Sequence, residues 1–409
     1  MTGEPSRSQA ATAPMLKALN ERTVFEAIRA FHPISRAEIS RRVGISKPTV
    51  SAALSALLDS GLVRQTAPDG DGPTYGALFF EPVPEAGFVV GLDIGGRYLR
   101  GVVAALDGAE RARAQMDTAS CDIHEVVAHA ARMRLELLER AAVPEGAEQV
   151  VVAAAPGVVE QSTGRVYQGG TIPGLDGFAL APALTDAFAA AAPGASPFDG
   201  AVLLENDIHL AALGEQWRGV GAKTEDFAVL SVGTGTGAAL VLGGRLHRGR
   251  NGAAGEIDYA FEGGVDANPF DPCGPALVRL AADWIEFRDV PTALRAPVAP
   301  EQVFEAARSG DQLAGLLVAE EARRIAVYLA PVCAVADVEL AVLAGGIGLN
   351  ADLLLEPVRA ELAKRVPYPP RVEVSALGET GVLVGAIARG TATALDRVLS
   401  ARIGDGAAV

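Results

Sequence analysis

The chain of 409 residues is poor in cysteine and in aromatic side chains. Its cysteines, Cys121, Cys273 and Cys333, are far apart and odd in number. Such a set excludes a disulfide framework and is typical of a reducing cytoplasm. Aromatic residues make up 5% of the chain, against 49% for all hydrophobic residues. Alanine, valine, leucine and glycine therefore fill the interior, and the length suits roughly two or three domains.

Long apolar runs are also missing. Glycine, proline or charge interrupts every apolar stretch well short of the ~20 residues that a membrane-spanning helix needs. The N-terminal segment 1–16 has no apolar core of the kind found in signal peptides. We expect a cytoplasmic protein without a membrane partner. Residues 1–14, rich in Ser, Thr, Ala and Pro, are predicted to be a disordered tail.

The net charge of −15 argues against nucleic-acid binding, but the charge is unevenly distributed. Residues 1–66 contain nine Lys/Arg and five Asp/Glu, a net charge of +4. The remaining residues contain 26 Lys/Arg and 45 Asp/Glu, a net charge of −19. This asymmetry indicates an anion-binding module on an acidic body. A chance excess on a small solvated domain is the alternative.

Residues 15–80 are predicted to form a winged helix-turn-helix domain. A first amphipathic helix is followed by Ser35, which begins a short second helix, and by Gly44, which makes the turn. Ser46 begins a third helix and Gly61 ends it, just before a strand. Three helices and a hairpin in this order are typical of winged DNA-binding domains. A three-helix interaction domain is the alternative, and the local positive charge favours DNA.

The third helix supplies the predicted DNA contacts. Small polar residues and a lysine at a helix N-terminus suit base edges and phosphates. The wing tip, Asp69 to Tyr75, is acidic and a poor partner for phosphates, so the third helix should do most of the reading. The residues predicted to contact operator DNA are Ser46, Lys47, Thr49 and Ser51.

Glycine turns follow three of the predicted strands. Gly233 to Gly237 lies between two apolar runs and predicts a hairpin whose N–H groups and threonine hydroxyls can wrap an anion. An ordinary glycine-rich hairpin is the alternative. Asp93, in the first such turn, can face phosphates through bound Mg²⁺ or simply hold the turn. Gly345 and Gly346 lie in a glycine turn between a strand and a helix, which is a common nucleotide contact. The predicted nucleotide or phosphate contacts are Asp93, Gly95, Gly96, Gly233, Thr234, Gly235, Thr236, Gly345 and Gly346.

Asp207 lies at a strand-to-helix junction. It follows a strand that ends at Glu205, and the helix is predicted to begin at His209. We expect the helix N-terminus to favour the ionised form of Asp207. A carboxylate in this place can accept a sugar hydroxyl proton during phosphoryl transfer. Simple N-capping of the helix is the alternative role.

The strand–turn–strand units recur near residues 88, 228 and 338 and alternate with helices. This order predicts an α/β chain with two lobes and a cleft between them. Residues 80–87, with two prolines, are predicted to be a linker. The first lobe is predicted at 87–200, completed by a C-terminal helix over 380–400 with small residues on one side. The second lobe is predicted at 201–379.

Together these motifs resemble the ROK family of repressors, open reading frames and sugar kinases across residues 20–400. The resemblance rests on Asp93-Ile-Gly-Gly96, Pro156-Gly157, Glu205-Asn206-Asp207, Ala212-Leu-Gly-Glu215, Gly233 to Gly237, Gly252-Ala-Ala-Gly-Glu256-Ile and Gly345-Gly346. It implies an actin-like, ribonuclease-H-like two-lobed fold behind the DNA-binding domain. It also implies a sugar site at Asn206, Asp207, Glu256 and Tyr259. In the family's kinases, the aspartate that matches Asp207 is the catalytic base.

The sequence departs from the family's kinases at three places. Arg97 stands where the kinases usually carry threonine, beside the expected phosphates. Asp258-Tyr259 stands where they carry Gly-His, whose histidine binds zinc and sugar. Only Cys273 lies near the position of the family's zinc cysteines. One cysteine cannot make the usual tetrahedral site, so we predict no zinc and no other metal.

We therefore predict a sugar-responsive transcriptional regulator, a repressor that a sugar or sugar phosphate in the cleft releases from operator DNA. It should act as a homodimer or homotetramer and require no cofactor. The alternative is an active ATP-dependent, glucokinase-like sugar kinase that uses Mg-ATP and carries a DNA-binding domain. Arg97 and the missing zinc ligands oppose this alternative. A third reading is a body that binds no sugar and serves only for dimerisation, which Tyr259 in place of histidine allows.

Overall fold

The computed structural model describes residues 13–67, 77–190, 198–261 and 268–404. The predicted tail lies outside these residues except for Ala13 and Pro14, which begin the first helix. The predicted acidic wing tip lies outside them as well. None of the described helices is long and apolar enough to cross a membrane.

The N-terminal domain, called the head below, has three helices and a three-stranded sheet of order β1-β3-β2. Its elements are α1 (Ala13–Phe31), β1 (Ile34–Ser35), α2 (Arg36–Val43), α3 (Lys47–Asp59), β2 (Val63–Thr66) and β3 (Phe79–Pro82). The side chains of Ser35 and Ser46 accept backbone N–H groups at the starts of α2 and α3. Gly44 ends α2 at a φ of 69°, a conformation that favours glycine. These caps and this turn confirm the predicted order of helices.

The predicted linker at 80–87 is instead part of the packed structure. Phe80 is buried in β3, where it pairs with Gln65 of β2. Pro82 is tolerated because it ends the strand. Further on, the Val83 N–H donates to the Leu62 carbonyl over 2.9 Å. The two prolines therefore shape a strand end and the short turn Pro84–Ala86, not a free connection.

Two five-stranded sheets form the body, with orders β10-β7-β4-β5-β6 and β13-β12-β11-β14-β15. The first lobe contains β4 (Phe88–Ile94), β5 (Tyr98–Ala105), β6 (Glu110–Asp117), α4 (Ile123–Arg140), β7 (Glu148–Ala155), the hairpin β8 (Val158–Glu160) and β9 (Arg165–Tyr167), α5 (Leu180–Ala190) and β10 (Ala201–Asn206). The second lobe contains β11 (Phe227–Val232), β12 (Thr236–Leu242), β13 (Arg245–His247), α7 (Gly274–Phe287), α8 (Pro300–Arg308), α9 (Gln312–Ala336), β14 (Leu340–Ala344), α10 (Gly345–Gly348), α11 (Ala351–Leu362) and β15 (Arg371–Val374).

Two helices lie between the sheets: α6 (Asp207–Arg218) and α12 (Gly381–Gly404). They approach so closely that a Cβ atom on Gly385 would lie 1.7 Å from the Leu210 carbonyl oxygen. The small residues on one side of the C-terminal helix allow this close packing. Strand β10 pairs in parallel with β7 of the first lobe. The chain therefore crosses to the second lobe at α6, rather than at residue 200.

The head shares one hydrophobic core with the first lobe. Ile28 and Leu57 of the head belong to the same buried cluster as Val89 and Val150 of the first-lobe sheet and Leu395 of α12. The second lobe has a separate core around α9, β11 and β14. The head and the first lobe thus form one packed body.

Candidate functional site

Carboxylates converge where strands of the first lobe end. Parallel strands β4, β7 and β10 finish at the same edge of the sheet, which places Asp93 near the start of α6. Burial and the negative charges of Asp93 and Glu256 together raise the pKa of Asp207 to about 7, although the Ile208 N–H opposes the shift. The Ile208 N–H at the helix N-terminus does favour the ionised form of Asp207, but it does not keep the pKa low. Desolvation and two neighbouring carboxylates outweigh the helix dipole.

Asn206, rather than Asp207, caps helix α6. Its side-chain oxygen accepts the His209 N–H over 2.9 Å, and its amide nitrogen donates to the Gly157 carbonyl over 3.0 Å. Among the described residues, Asp207 accepts only the adjacent Ile208 N–H over 2.8 Å. The N-capping role weighed for Asp207 thus belongs to its neighbour. The Asp207 carboxylate is consequently free to meet a ligand.

A buried ionic cluster lies directly behind these residues. Glu205 is 1% exposed, and its carboxylate accepts hydrogen bonds from Arg248 over 2.7 Å and from Arg389 of α12. His209 places Nδ1 3.2 Å from Glu205 and Nε2 3.1 Å from the Ala254 carbonyl. This cluster joins β10, α6, α12 and the loop before Glu256. Glu205 belongs to a motif of the sequence but has no role predicted from it. Arg389 was not predicted, because no local sequence pattern marks it.

Two of the three glycine turns lie side by side. A Cβ atom on Gly233 would lie 3.6 Å from the Gly346 backbone nitrogen, and one on Gly345 would lie 2.4 Å from the Val232 carbonyl oxygen. Gly345 has a φ of 78°. The close approach and the positive φ explain why glycine is needed at position 345. Thr234 and Gly235 are exposed at the tip of the hairpin.

The remaining predicted phosphate contacts differ in what they touch. Gly95 donates its N–H to the Tyr98 carbonyl over 3.0 Å, and Gly96 lies against Thr171, in a separate turn after β4. The Thr236 hydroxyl donates to Asp271 over 3.1 Å. This hydroxyl is therefore engaged within the protein.

Arg100 is a site residue that sequence reasoning missed. It pairs with Asp93 across strands β4 and β5, and its guanidinium lies 3.5 Å from the Asp93 carboxylate. Burial raises the pKa of Asp93, and Arg100 opposes that shift. Arg97 is exposed, and its guanidinium lies 5.0 Å from the centre of the Tyr98 ring. A cation thus already faces the acid that was predicted to face Mg²⁺.

The predicted DNA contacts of helix α3 are partly engaged in hydrogen bonds within the helix itself. The hydroxyls of Ser46 and Thr49 lie 2.8 Å apart, and Ser51 donates to the Lys47 carbonyl over 2.9 Å. Lys47 is exposed. Arg36 of α2 also reaches this surface and donates to Ser51 over 3.1 Å. Arg36 was not predicted, since its place beside α3 depends on how the helices pack.

Comparison with known proteins places this geometry in a family. The model of the ROK family matches residues 89–393, the greater part of the chain. The chain belongs to the ROK family. The model of the MarR family matches residues 19–72, within the head. The predicted winged helix-turn-helix followed by an actin-like α/β body is confirmed as the fold.

Similar proteins include both regulators and kinases. The xylose repressor of Caldicellulosiruptor bescii is 24% identical over 91% of this chain and 96% of its own length. A glucokinase of Halalkalibacterium halodurans is 28% identical over 56% of this chain and 72% of its own length. The crystal structure of a ROK family transcriptional regulator, a homologue of the E. coli MLC protein, covers 95% of this chain and 99% of its own. Its TM-score is 0.75 at 20% identity.

The structure of a ROK family glucokinase from Streptomyces griseus, in complex with glucose and AMPPNP, has a TM-score of 0.61 at 23% identity. It covers 74% of this chain and 99% of its own length. The regulator structure thus spans the head and the body of this chain, whereas the kinase structure leaves about a quarter of it unmatched.

The zinc ligands of ROK kinases have no equivalent among the described residues. No three His, Cys, Asp or Glu side chains there are arranged to hold a metal. The Cys273 thiol donates to Asp271 over 2.8 Å, and burial, followed by this bond, raises its pKa to about 12. Cys273 is therefore protonated in this structure and is engaged with Asp271. Tyr259, in the turn after Glu256, is 56% exposed. The side chains of the described residues thus do not provide a zinc site.

Proposed function

We propose that this ROK protein is a sugar-responsive DNA-binding transcriptional regulator, and that it represses. The single observation that carries the proposal is the shared core of the head and the ligand-bearing first lobe. A DNA-binding head built into the same body as the carboxylate cluster couples the two sites mechanically. The similarity to repressors across almost the whole chain supports the same conclusion.

The proposed ligand is a sugar or sugar phosphate held between Asp207 and Glu256. Both carboxyl groups can form hydrogen bonds with sugar hydroxyls, and such a bond is charge-assisted and strong where the carboxyl group is ionised. Asn206 would contribute its amide and Tyr259 its exposed ring. The glycine turns at Gly233 and Gly345 would receive a phosphate group if the sugar carries one.

Operator DNA is the proposed partner of the head. Lys47 and Arg36 would contact phosphates, and Thr49 and Ser51 would exchange their internal bonds for base contacts. We propose a homodimer or homotetramer in the cytoplasm, because winged helix-turn-helix repressors read paired half-sites through protein symmetry.

Helix α12 is the proposed connection between the two sites. Arg389 contacts Glu205 behind the sugar residues, and two turns later Asp396 forms an ion pair with Arg22 of α1 over 2.6 Å. A ligand that bridges the two lobes would change the angle between the second lobe and this rigid body. It shifts the equilibrium only through its different affinities for the two states. A coupling of ~1–3 kcal/mol would change operator affinity about 5- to 150-fold.

Sugar phosphorylation is the second candidate function. The pKa of Asp207, raised to about 7 by burial, suits a general base at neutral pH. Mg-ATP would then be the cofactor. The contact between Arg100 and Asp93 opposes this candidate, because it places a cation where Mg²⁺ would bind. We therefore propose a regulator that requires no cofactor.

The test begins with selection of an operator from random DNA, followed by fluorescence anisotropy with a panel of sugars and sugar phosphates. At least one ligand should lower operator affinity in the wild type, and Glu256→Ala should keep operator affinity but lose the response. Phosphorylation is measured in parallel by ADP release. Turnover of about 1 s⁻¹ or more, abolished in Asp207→Asn, would establish the kinase instead.

A further inference from the structure

A buried tyrosine anchors the loop that carries Glu256. Tyr328 of α9 is 0% exposed, and its hydroxyl donates to the Asp258 carboxylate over 2.5 Å. The same hydroxyl oxygen accepts the Asn268 amide over 2.6 Å. The Tyr328 ring stacks on Phe261, with ring centres 4.6 Å apart and planes at 24°. The turn that follows Glu256 is thus fixed to α9 by a hydroxyl and by a ring.

Asp271 anchors the neighbouring glycine turn in the same way. Its carboxylate accepts the Thr236 hydroxyl over 3.1 Å, the Cys273 N–H over 2.9 Å and the Cys273 thiol over 2.8 Å. The next residue, Gly274, donates its N–H to the Gly233 carbonyl over 2.7 Å. The hairpin between β11 and β12 is therefore tied to the start of α7.

The two anchors meet at one short segment. Asn268 and Asp271 are three residues apart, and the Asp271 carbonyl accepts a hydrogen bond from Arg324 of α9 over 3.3 Å. Both ends of the segment thus reach the same helix, and each holds one of the predicted ligand loops. We call Asp258, Asn268, Asp271, Cys273 and Tyr328 the clasp.

We propose that the clasp does, by hydrogen bonds alone, the structural work that zinc does in ROK kinases, and that Tyr328 is the positioning residue for Glu256. The inference rests on the proposed function only where it concerns sugar binding. Tyr328 does not touch the ligand in this proposal; it holds the turn two residues beyond Glu256. Thr236 and Gly233 are held by the other end of the clasp.

The chemistry of the clasp explains why it can replace a metal. A tyrosine hydroxyl that donates to a carboxylate makes a charge-assisted bond, and breaking such a bond leaves a buried acceptor unsatisfied. Burial, then the bond to Asp258, raises the pKa of the Tyr328 phenol, so it stays a donor at every physiological pH. The Cys273 thiol likewise stays protonated. Both groups therefore stay hydrogen-bond donors in the clasp.

Tyr328→Phe in the full chain tests the clasp, because it removes one hydroxyl and keeps the stacked ring. We expect amide hydrogen exchange in Ile257–Ala260 and Phe261 to accelerate at least tenfold, with the head unchanged. Asp258→Asn should give the same pattern through the partner of the bond. Tyr368→Phe, on a side chain 82% exposed, is the matched control and should change nothing. Exchange within twofold of wild type in both clasp variants would overturn the proposal.

Metal analysis and sugar binding complete the test. Removal of metals with 1,10-phenanthroline should leave the melting temperature unchanged, and about one zinc per chain whose removal unfolds the second lobe would overturn the proposal. Sugar affinity is measured by calorimetry with D-glucose, D-xylose and their phosphates. A sugar that binds wild type should bind Tyr328→Phe at least fivefold more weakly, while operator affinity is kept; equal affinity would refute the positioning role. If no sugar binds wild type but exchange accelerates, the proposed function fails and the clasp stands.

Discussion

The two lobes are built on similar five-stranded sheets, yet they are attached to the rest of the molecule in different ways. The first lobe continues into the head through a single apolar core that also contains α12. The second lobe has its own core and packs its sheet on α6 through a smaller apolar cluster, and its ligand loops are held by the hydrogen bonds of the clasp. Apolar packing over a large area makes one rigid body, whereas a few directional bonds hold loops that a ligand can reorganise. The proposed sugar site lies between the first lobe, which is held by apolar packing, and the second-lobe loops, which are held by hydrogen bonds.

Breaking the ionic cluster behind the sugar site should have the largest effect. Glu205→Ala removes a buried carboxylate and leaves the half-buried side chains of Arg248 and Arg389 without this partner. We expect a loss of about 3 kcal/mol in the free energy of unfolding, measured by urea denaturation. Glu379→Ala, whose side chain is 74% exposed in its contact with Arg100, is the control and should cost less than about 0.5 kcal/mol. Equal losses in the two variants would contradict the role given to Glu205.

Lys47→Ala should weaken operator binding by about 1–3 kcal/mol and reduce the slope of log affinity against log salt by about 1. Thr49→Ala should instead relax sequence preference, because a base contact specifies and a phosphate contact positions. The control is Lys223→Ala, an exposed lysine on the acidic body. Anisotropy titrations at several salt concentrations measure both quantities. A slope unchanged in Lys47→Ala would remove that residue from the DNA interface.

These predictions depend on features that the sequence carries to different extents. Capping residues such as Ser46, glycine turns such as Gly345 and buried strands have local signals, and they were predicted correctly. The pairing of β10 with β7, and the contacts of Arg100 and Arg389, join residues far apart in the chain. Their positions follow from tertiary packing, which leaves no periodic or compositional mark. For the same reason the two prolines at 80–87 predict a linker, although the segment is packed in the structure.

Asp207 in the ligand site should make the free energy of unfolding depend on pH. Burial raises the pKa of Asp207 from 3.8 to about 7, so the native state holds a proton that the unfolded chain releases. Its contribution is complete below about pH 4 and is lost as the pH rises through 7. Asp207→Asn should therefore reduce the fall in unfolding free energy between pH 5 and pH 8 by about 2–3 kcal/mol. An unchanged pH profile would mean that Asp207 is already ionised in the native state.

A buried carboxyl group in the second lobe should also make the free energy of unfolding fall as the pH rises. Glu321 of α9 is 0% exposed, and neither carboxylate oxygen has a hydrogen-bond partner among the described residues. Burial raises its pKa well above the usual value, and the charges of Asp271 and Glu320 add to the shift, while Arg324 opposes it. Glu321→Gln should flatten the pH profile without affecting operator binding. A steeper profile would contradict this assignment.

The ion pair between Arg22 and Asp396 should matter least for stability. Both side chains are more than half exposed, so Arg22→Ala should cost at most about 1 kcal/mol. The apolar core, not this pair, should hold the head to α12. A melting temperature lowered as far as in Glu205→Ala would show that the junction depends on the ion pair and not on the core.

The most direct test of the rigid-body assignment is a distance measurement by double electron–electron resonance. Each spin label is carried by a genetically encoded unnatural amino acid at an exposed position. The three positions are Ala30 in the head, Glu136 in the first lobe and Glu356 in the second lobe. Adding a sugar that releases operator DNA should leave the distance from Ala30 to Glu136 unchanged. The distance from Ala30 to Glu356 should shift to a new distribution. A sugar-induced change between Ala30 and Glu136 would contradict the claim that the head and the first lobe move as one body.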